Sequence, residues 1–185
     1  MVHAMKEITR LHVPSDVKYT KLVEDFMRSL GEQIYPSDEN SRHRLSAVMN
    51  EVFTNIVKHS DTPSLEQMVR FQFEFQSGLL EISIYDNGPG IMIDDHYPPY
   101  PESLVGQRRK FREVIDGVVI MTILDTLSLE FSFDEVAYDE DEAALNFAEL
   151  KSHGYGLSII TKIMDSVTYK FIRPGIYDWK MTKRL

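Results

Sequence analysis

Apolar positions recur along the chain with two different periods, and the change from one to the other marks out its elements. Glu7 to Val13 alternates well enough for a first strand, which Pro14-Ser15-Asp16 ends. From Val17 to Ile34 the period lengthens, with Leu22, Val23, Phe26, Leu30 and Ile34 at helical spacing and Gly31 as a mild interruption. Tyr35-Pro36-Ser37 breaks that helix, and Ser37 or Asp38 is suited to cap the next. The second helix reaches about Ser60, carrying Leu45, Val48, Val52 and Ile56 as its apolar stripe.

After Asp61-Thr62-Pro63 the period falls to two. Val69, Phe71, Phe73 and Phe75 alternate on one strand, Leu80, Ile82 and Ile84 on the next, and Ser77-Gly78 joins them as a hairpin turn. Further on, Gly154 through Asp165 reads as a helix with Leu157, Ile159, Ile160, Ile163 and Met164 on its apolar faces. Two closing strands follow, Val167 to Ile172 and Tyr177 to Lys183, with Arg173-Pro174-Gly175 between them.

Residues 94–151 make a long interval of mixed character. Tyr97-Pro98-Pro99-Tyr100-Pro101 opens it, Arg108, Arg109, Lys110 and Arg112 form a basic cluster, Val114 to Phe133 is apolar, and 134–142 is acidic. A structureless loop of that length is out of place in a compact domain, so at least one helix or added strand pair is expected inside it. Val114 to Phe133 is expected to be buried against its own domain, with a dimer surface as the alternative.

Composition narrows the class. At 185 residues the chain is read as one domain, residues 1–185, and it has no cysteine, which removes disulfide and thiol chemistry. Val118 to Leu124, the longest strongly apolar run, is too short to cross a bilayer, and the N-terminus lacks the layout of a signal peptide. A soluble cytoplasmic protein without a membrane partner is the expectation. A net charge of −9 argues against nucleic acid as a partner, because its phosphates would be repelled. A nucleotide is a different case, since backbone N–H groups and a bound cation hold phosphates without a basic surface.

Three stretches carry candidate chemistry. On the second helix Glu51 and Asn55 stand one turn apart, beside the apolar stripe. At the end of the second strand of the hairpin comes Asp86-Asn87-Gly88-Pro89-Gly90, a carboxylate followed by glycines that let the backbone turn sharply. Later, His153-Gly154-Tyr155-Gly156-Leu157 opens a helix whose first turn leaves N–H groups unpaired, a favourable place for phosphate. Taken singly, the first pair reads as a solvated helix face and the second stretch as an ordinary turn. His3, His12, His43 and His96 show no ligand spacing, so no zinc site is inferred.

In this order the three stretches resemble the histidine-kinase-like ATP-binding superfamily, with its N box and two glycine boxes. The similarity extends to the small bacterial anti-sigma-factor serine/threonine kinases, matched by Glu51 through His59 and by Gly154-Tyr155-Gly156-Leu157 through Met164-Asp165. The resemblance spans roughly residues 7–93 and 152–184. It implies an α/β (α+β) two-layer sandwich, a mixed, mostly antiparallel sheet covered on one face by helices, with 94–151 as an expanded lid or insert.

By the same resemblance the ligands are ATP and Mg2+. Glu51 takes the proton from the attacking hydroxyl, Asn55 ligates the metal, Asp86 accepts the adenine exocyclic amine, and Gly88 and Gly90 shape the base pocket. Gly154, Gly156 and Leu157 bring the helix start to the phosphates, and Thr182, in the last-strand Met181-Thr182-Lys183, supports the adenine site. His59 either orients the phosphates or is a surface histidine, and His153 either contacts the nucleotide or belongs to a loop. One arginine of the basic cluster either swings onto the γ-phosphate or pairs with the acidic run.

The function implied is a regulatory kinase that phosphorylates an anti-sigma antagonist protein on serine or threonine and sequesters a sigma factor, commonly as a homodimer. An ATPase with water as acceptor, or a nucleotide-dependent binding module, is the alternative. The stretch before the ExxxN helix reads as a strand and one helix, leaving no room for a sensor kinase's dimerisation segment, so a stand-alone partner switch is expected.

Overall fold

Ser77 and Gly78 both hold positive φ, 52° and 75°, the backbone twist that a two-residue hairpin needs. They join β2 (Met68–Gln76) to β3 (Leu79–Asp86), and the rest of the sheet grows outward from this pair. In this computed structural model residues 6–59, 68–86, 90–114, 117–135 and 156–185 are described, those of His59 and Asp86 by backbone only.

β1 (Glu7–Pro14) flanks β2 on one side. Beyond β3 come β8 (Ile176–Arg184), β7 (Ser166–Arg173), β6 (Ser128–Glu135), β5 (Gly117–Asp125) and β4 (Arg108–Val114), so the sheet order is β1-β2-β3-β8-β7-β6-β5-β4. Every described pairing is antiparallel, in keeping with the mostly antiparallel sheet expected. The long interval supplies three strands, β4 to β6, which widen the sheet beyond β7. Residues 136–151 of that interval lie outside the described ones.

Among the described residues three α-helices join the sheet: α1 (Thr20–Ile34), α2 (Glu39–His59) and α3 (Gly156–Ile163). Asp38 starts α2 as its cap, accepting from the Ser41 N–H at 3.0 Å and from the Ser41 hydroxyl. Those bonds hold the Asp38 carboxyl below its ordinary pKa. Close approach of α1 and α2 is set by Gly31, where an added Cβ would lie 3.3 Å from Arg42 Cγ.

The core lies between these helices and one face of the sheet. Leu11, Phe71, Ile84, Trp179, Tyr169, Leu129 and Ile123 face one another from β1 to β5 and form one row of that face. Phe53 of α2 meets Phe71 with ring centroids 6.2 Å apart, and Phe26 of α1 meets Phe73 at 5.4 Å. Burying each such ring contributes roughly 1.5–3 kcal/mol, so α1 and α2 are fixed on the sheet chiefly by apolar contact. α3 covers the added strands β5 and β6 as well as β7, and packs along α2. Val114, Val119, Met121, Ile123, Leu129 and Phe131 are buried, as expected for the apolar part of the interval.

Between β3 and β4 the chain crosses the ends of the intervening strands. Tyr100 N–H donates to Thr126 O at 2.6 Å and Gly106 N–H to Ile123 O at 2.7 Å. Ile93, Tyr100 and Leu104 join the core, so this crossing segment closes one end of it. Among the described residues no helix is long and apolar enough to cross a membrane.

Candidate functional site

The capped start of α2 sets the phase of its whole length. Val48, Val52, Phe53 and Ile56 turn inward and are buried, while Glu51 and Asn55, one turn apart, are left half-buried on the flank that meets α3. There the first residue of α3 comes against them. A Cβ added at Gly156 would lie 2.6 Å from Asn55 Nδ2 and 2.7 Å from Glu51 Oε2, distances that no real side chain tolerates. Residues from two segments far apart in the chain thus share one cradle, and it exists because position 156 carries no side chain.

The far end of α3 is fixed just as firmly. Asp165 accepts from the Arg184 N–H and from Lys183 Nζ, each at 2.7 Å, and its own N–H donates to Thr182 O at 2.9 Å. The backbone bond, and then the lysine, keep the Asp165 carboxyl below its ordinary pKa. Leu157, next after Gly156, is half-buried against the core. With both ends held, α3 presents its start to Glu51 and Asn55 as a fixed edge.

A second cluster lies at the end of β3. Asp86 is paired with Tyr177 across the β3–β8 ladder. Gly90 holds φ +89°, and an added Cβ there would strike the Tyr177 hydroxyl and come within 2.6 Å of its Cζ, so Gly90 is packed against the hydroxyl end of that ring. Tyr177 is itself stacked on Tyr169 of β7, with centroids 5.1 Å apart and planes 5° from parallel. One residue along, the Ile91 carbonyl accepts from the Tyr100 hydroxyl at 2.8 Å. Burial, with Tyr177 alongside, pushes the Tyr100 hydroxyl well above its ordinary pKa, so it stays protonated and remains a donor.

Most of the described candidates are brought to one side of the molecule. Glu51, Asn55, Gly156 and Leu157 meet at the α2–α3 junction, and Gly90 packs on a ring of the helix-covered sheet face. The His59 backbone ends α2. Gly88, Gly154 and His153 lie outside the described residues.

Thr182 faces Glu81 and Ser166, five residues along β8 from Tyr177, which is about 17 Å at the usual rise per residue and, being an odd step, on the opposite sheet face. The position across from Asp86 belongs to Tyr177. Neither Tyr177 nor Tyr100 was singled out from the sequence as part of the site. The signal for Tyr177 was available only as register, by counting back from the closing strand to the end of β3.

The basic cluster lies on β4, the outer edge strand of the sheet. Arg109 donates two hydrogen bonds to the Asp94 carboxylate, 2.7 Å to each oxygen, Arg108 pairs with Asp134 at 3.4 Å, and Lys110 pairs with Glu113. Of these partners Asp134 belongs to the acidic run. Among the described residues no group of three His, Asp or Glu side chains is placed to hold a metal.

Residues 13–177 match the family model of the histidine kinase-like ATPase domain. Comparison with curated proteins finds no match.

Proposed function

Because the chain belongs to the histidine kinase-like ATPase domain family, we propose that it is an ATP- and magnesium-dependent regulator that phosphorylates a partner protein on serine or threonine, in the manner of the anti-sigma-factor kinases. The observation that carries this reading is the cradle at Gly156, where an acid, an amide and the start of a helix converge.

The residues present fit the ligand. The start of α3 suits a phosphate, because Gly156 lets its backbone come close to Asn55 and Glu51 and the unpaired N–H groups of a first helical turn favour negative charge. Asn55 supplies a carboxamide oxygen suited to magnesium, which takes most of its remaining ligands from phosphate and water. Magnesium supplies charge neutralisation at the phosphates when bound.

The chain's own residues do the rest. Glu51, beside Asn55 and held by the same helix, serves as the base that receives the proton of the attacking hydroxyl. Asp86, at the end of β3, reads the base of the nucleotide. The acceptor is a hydroxyl of a small antagonist protein, and added phosphate changes that protein's binding through its charge. A sigma factor is the partner released or retained by the switch.

Incubation with radiolabelled ATP and a candidate antagonist tests the reading. Glu51→Gln should keep ATP affinity within about threefold while transfer falls by roughly 10²–10⁴-fold, the usual contribution of a positioned base. Asn55→Ala should abolish magnesium-dependent ATP binding. Calorimetry with ATP and excess magnesium that shows no heat of association would falsify the nucleotide reading outright. Tight binding with all label remaining on ATP would leave a binding module and remove the kinase.

A further inference from the structure

The sheet has a second face, turned away from the helices, and over most of its width that face is polar. Gln72 and Glu74 of β2, Glu81 of β3, Lys180 of β8, and Thr168 and Lys170 of β7 alternate with the core positions and point away from them. β5 departs from this pattern. Its core positions are Val119, Met121 and Ile123, yet Val118, Ile120 and Leu124 stand on the opposite side, with Thr122 among them. Leu124 is 46 % exposed, and Val118 and Ile120 are half-buried. A strand apolar on both sides is the pattern of one covered on both faces, whereas a strand with one solvated face alternates. The helix that packs on β5, α3, lies on the core side.

The outward stripe of β5 is flanked by charge of two signs. Row by row, Arg108 of β4 and Glu130 of β6 face Thr122 from either side, Lys110 and Ser132 face Ile120, and Glu113 and Asp134 face Val118. On these rows the β4 flank holds two cations and one acid, and the β6 flank two acids. Edge-to-edge pairing at β4 is opposed, because a bulge between Lys110 and Arg112 breaks its ladder and charged side chains line it. The face, not the edge, is left for a partner.

We infer that the outward side of β4 to β6 is an interface with a second copy of this chain, the two β5 strands lying face to face about a two-fold axis that runs along them. A two-fold interface is self-complementary, so every contact between unlike residues is made twice. With the axis along β5 each row keeps its height while the flanks exchange sides. That brings Arg108 over Glu130 of the second copy, Lys110 over its Ser132, and the apolar stripe onto its own image. An axis across the strands would instead lay each flank on itself, Lys110 on Lys110 and the acids of β6 on one another. Charge selects the first arrangement. Aligned sheets pack in this way about 10 Å apart. Glu113 and Asp134 come together at the end of the patch, each with the cation it already holds, Lys110 and Arg108. None of this depends on the nucleotide reading.

The experiment is sedimentation velocity of the full chain without nucleotide, over a range of concentrations, with a melting curve for each variant. Wild type should sediment as a dimer that dissociates on dilution. Ile120→Lys, at a half-exposed position, should keep the fold and raise the dimer dissociation constant by about a hundredfold or more, because an unpaired charge would be trapped in the interface. Arg108→Glu and Glu130→Arg should each weaken the dimer by about tenfold or more, since each sets like charges against one another across the axis. An equimolar mixture of those two variants should recover a heterodimer within about threefold of wild type, each chain supplying the charges that the other lacks. Wild type that stays monomeric at every concentration overturns the inference. A dimer untouched by Ile120→Lys overturns it too, placing the contact on another surface. A mixture that associates no better than its components does the same, because Arg108 and Glu130 then do not meet between copies. Should Ile120→Lys fail to fold, the two charge reversals and their mixture decide alone.

Discussion

Gly156 shows how one missing side chain makes a site. Helix propensity alone would favour alanine there by up to about 1 kcal/mol, so glycine is retained against the local preference of the helix. The atoms that an added Cβ would strike are Asn55 Nδ2 and Glu51 Oε2, the ends of side chains that can swing aside. Gly156→Ala is therefore expected to leave the melting temperature within a few degrees of wild type while displacing both polar groups. Affinity for ATP with magnesium should drop by about tenfold or more, read by calorimetry beside a thermal melt. A variant that binds ATP normally would show that the cradle is not where the phosphates sit. Glu51 and Asn55 were legible from the sequence because their relation is local, a single helical turn. Tyr177 was not legible, because its partnership with Asp86 depends on how two strands far apart in sequence align, and the same alignment sets Thr182 across from Glu81.

At the scale of elements, α3 depends on its far end. Asp165 joins the residues after α3 to β8 through Arg184 N–H and Lys183, and these bonds lower its native pKa below the unfolded value of about 3.9. A carboxylate with a depressed native pKa contributes stability that is present above the unfolded pKa and is lost as pH falls through the native one. Asp165→Asn should thus be less stable than wild type at pH 7, by no more than about 1 kcal/mol because the pair is largely exposed, and the difference should be lost in acid as pH falls through the lowered native pKa. Urea titrations at pH 7 and in acid check it; a difference that persists in acid would mean that packing, not charge, was lost. Helices α1 and α2 and the strands β2, β3, β7 and β8 were readable from periodicity and turn residues. β5 was not, since Gly117-Val118-Val119-Ile120-Met121 is apolar at successive positions and the alternation appears only as burial, with Val119, Met121 and Ile123 inward and Val118 and Ile120 half-exposed.

For the whole molecule, the consequence of the added strands is that the sheet continues unbroken from β1 to β4. One core row crosses it, and Trp179, the only tryptophan, sits in that row with Tyr169 at 4.5 Å and Phe131 of β6 at 5.6 Å. α3 adds a second connection, packing on α2 at the site and on β5 and β6, where Lys162 lies over the Phe133 ring at 4.4 Å. A segment joined through a shared core and a shared helix has no boundary at which to separate, so β4 to β6 should unfold with the rest. Urea unfolding followed by Trp179 fluorescence and by far-ultraviolet circular dichroism should give superimposable curves. Leu129→Ala, a truncation of a fully buried β6 side chain expected to cost about 2–5 kcal/mol, should move both curves together. An early fluorescence transition that leaves the dichroism unchanged would mean that Phe131 parts from Trp179 first and that the added strands form a separate unit. Saturating ATP with magnesium should raise both midpoints equally, because a ligand held between α2 and α3 stabilises whatever unfolds with those helices.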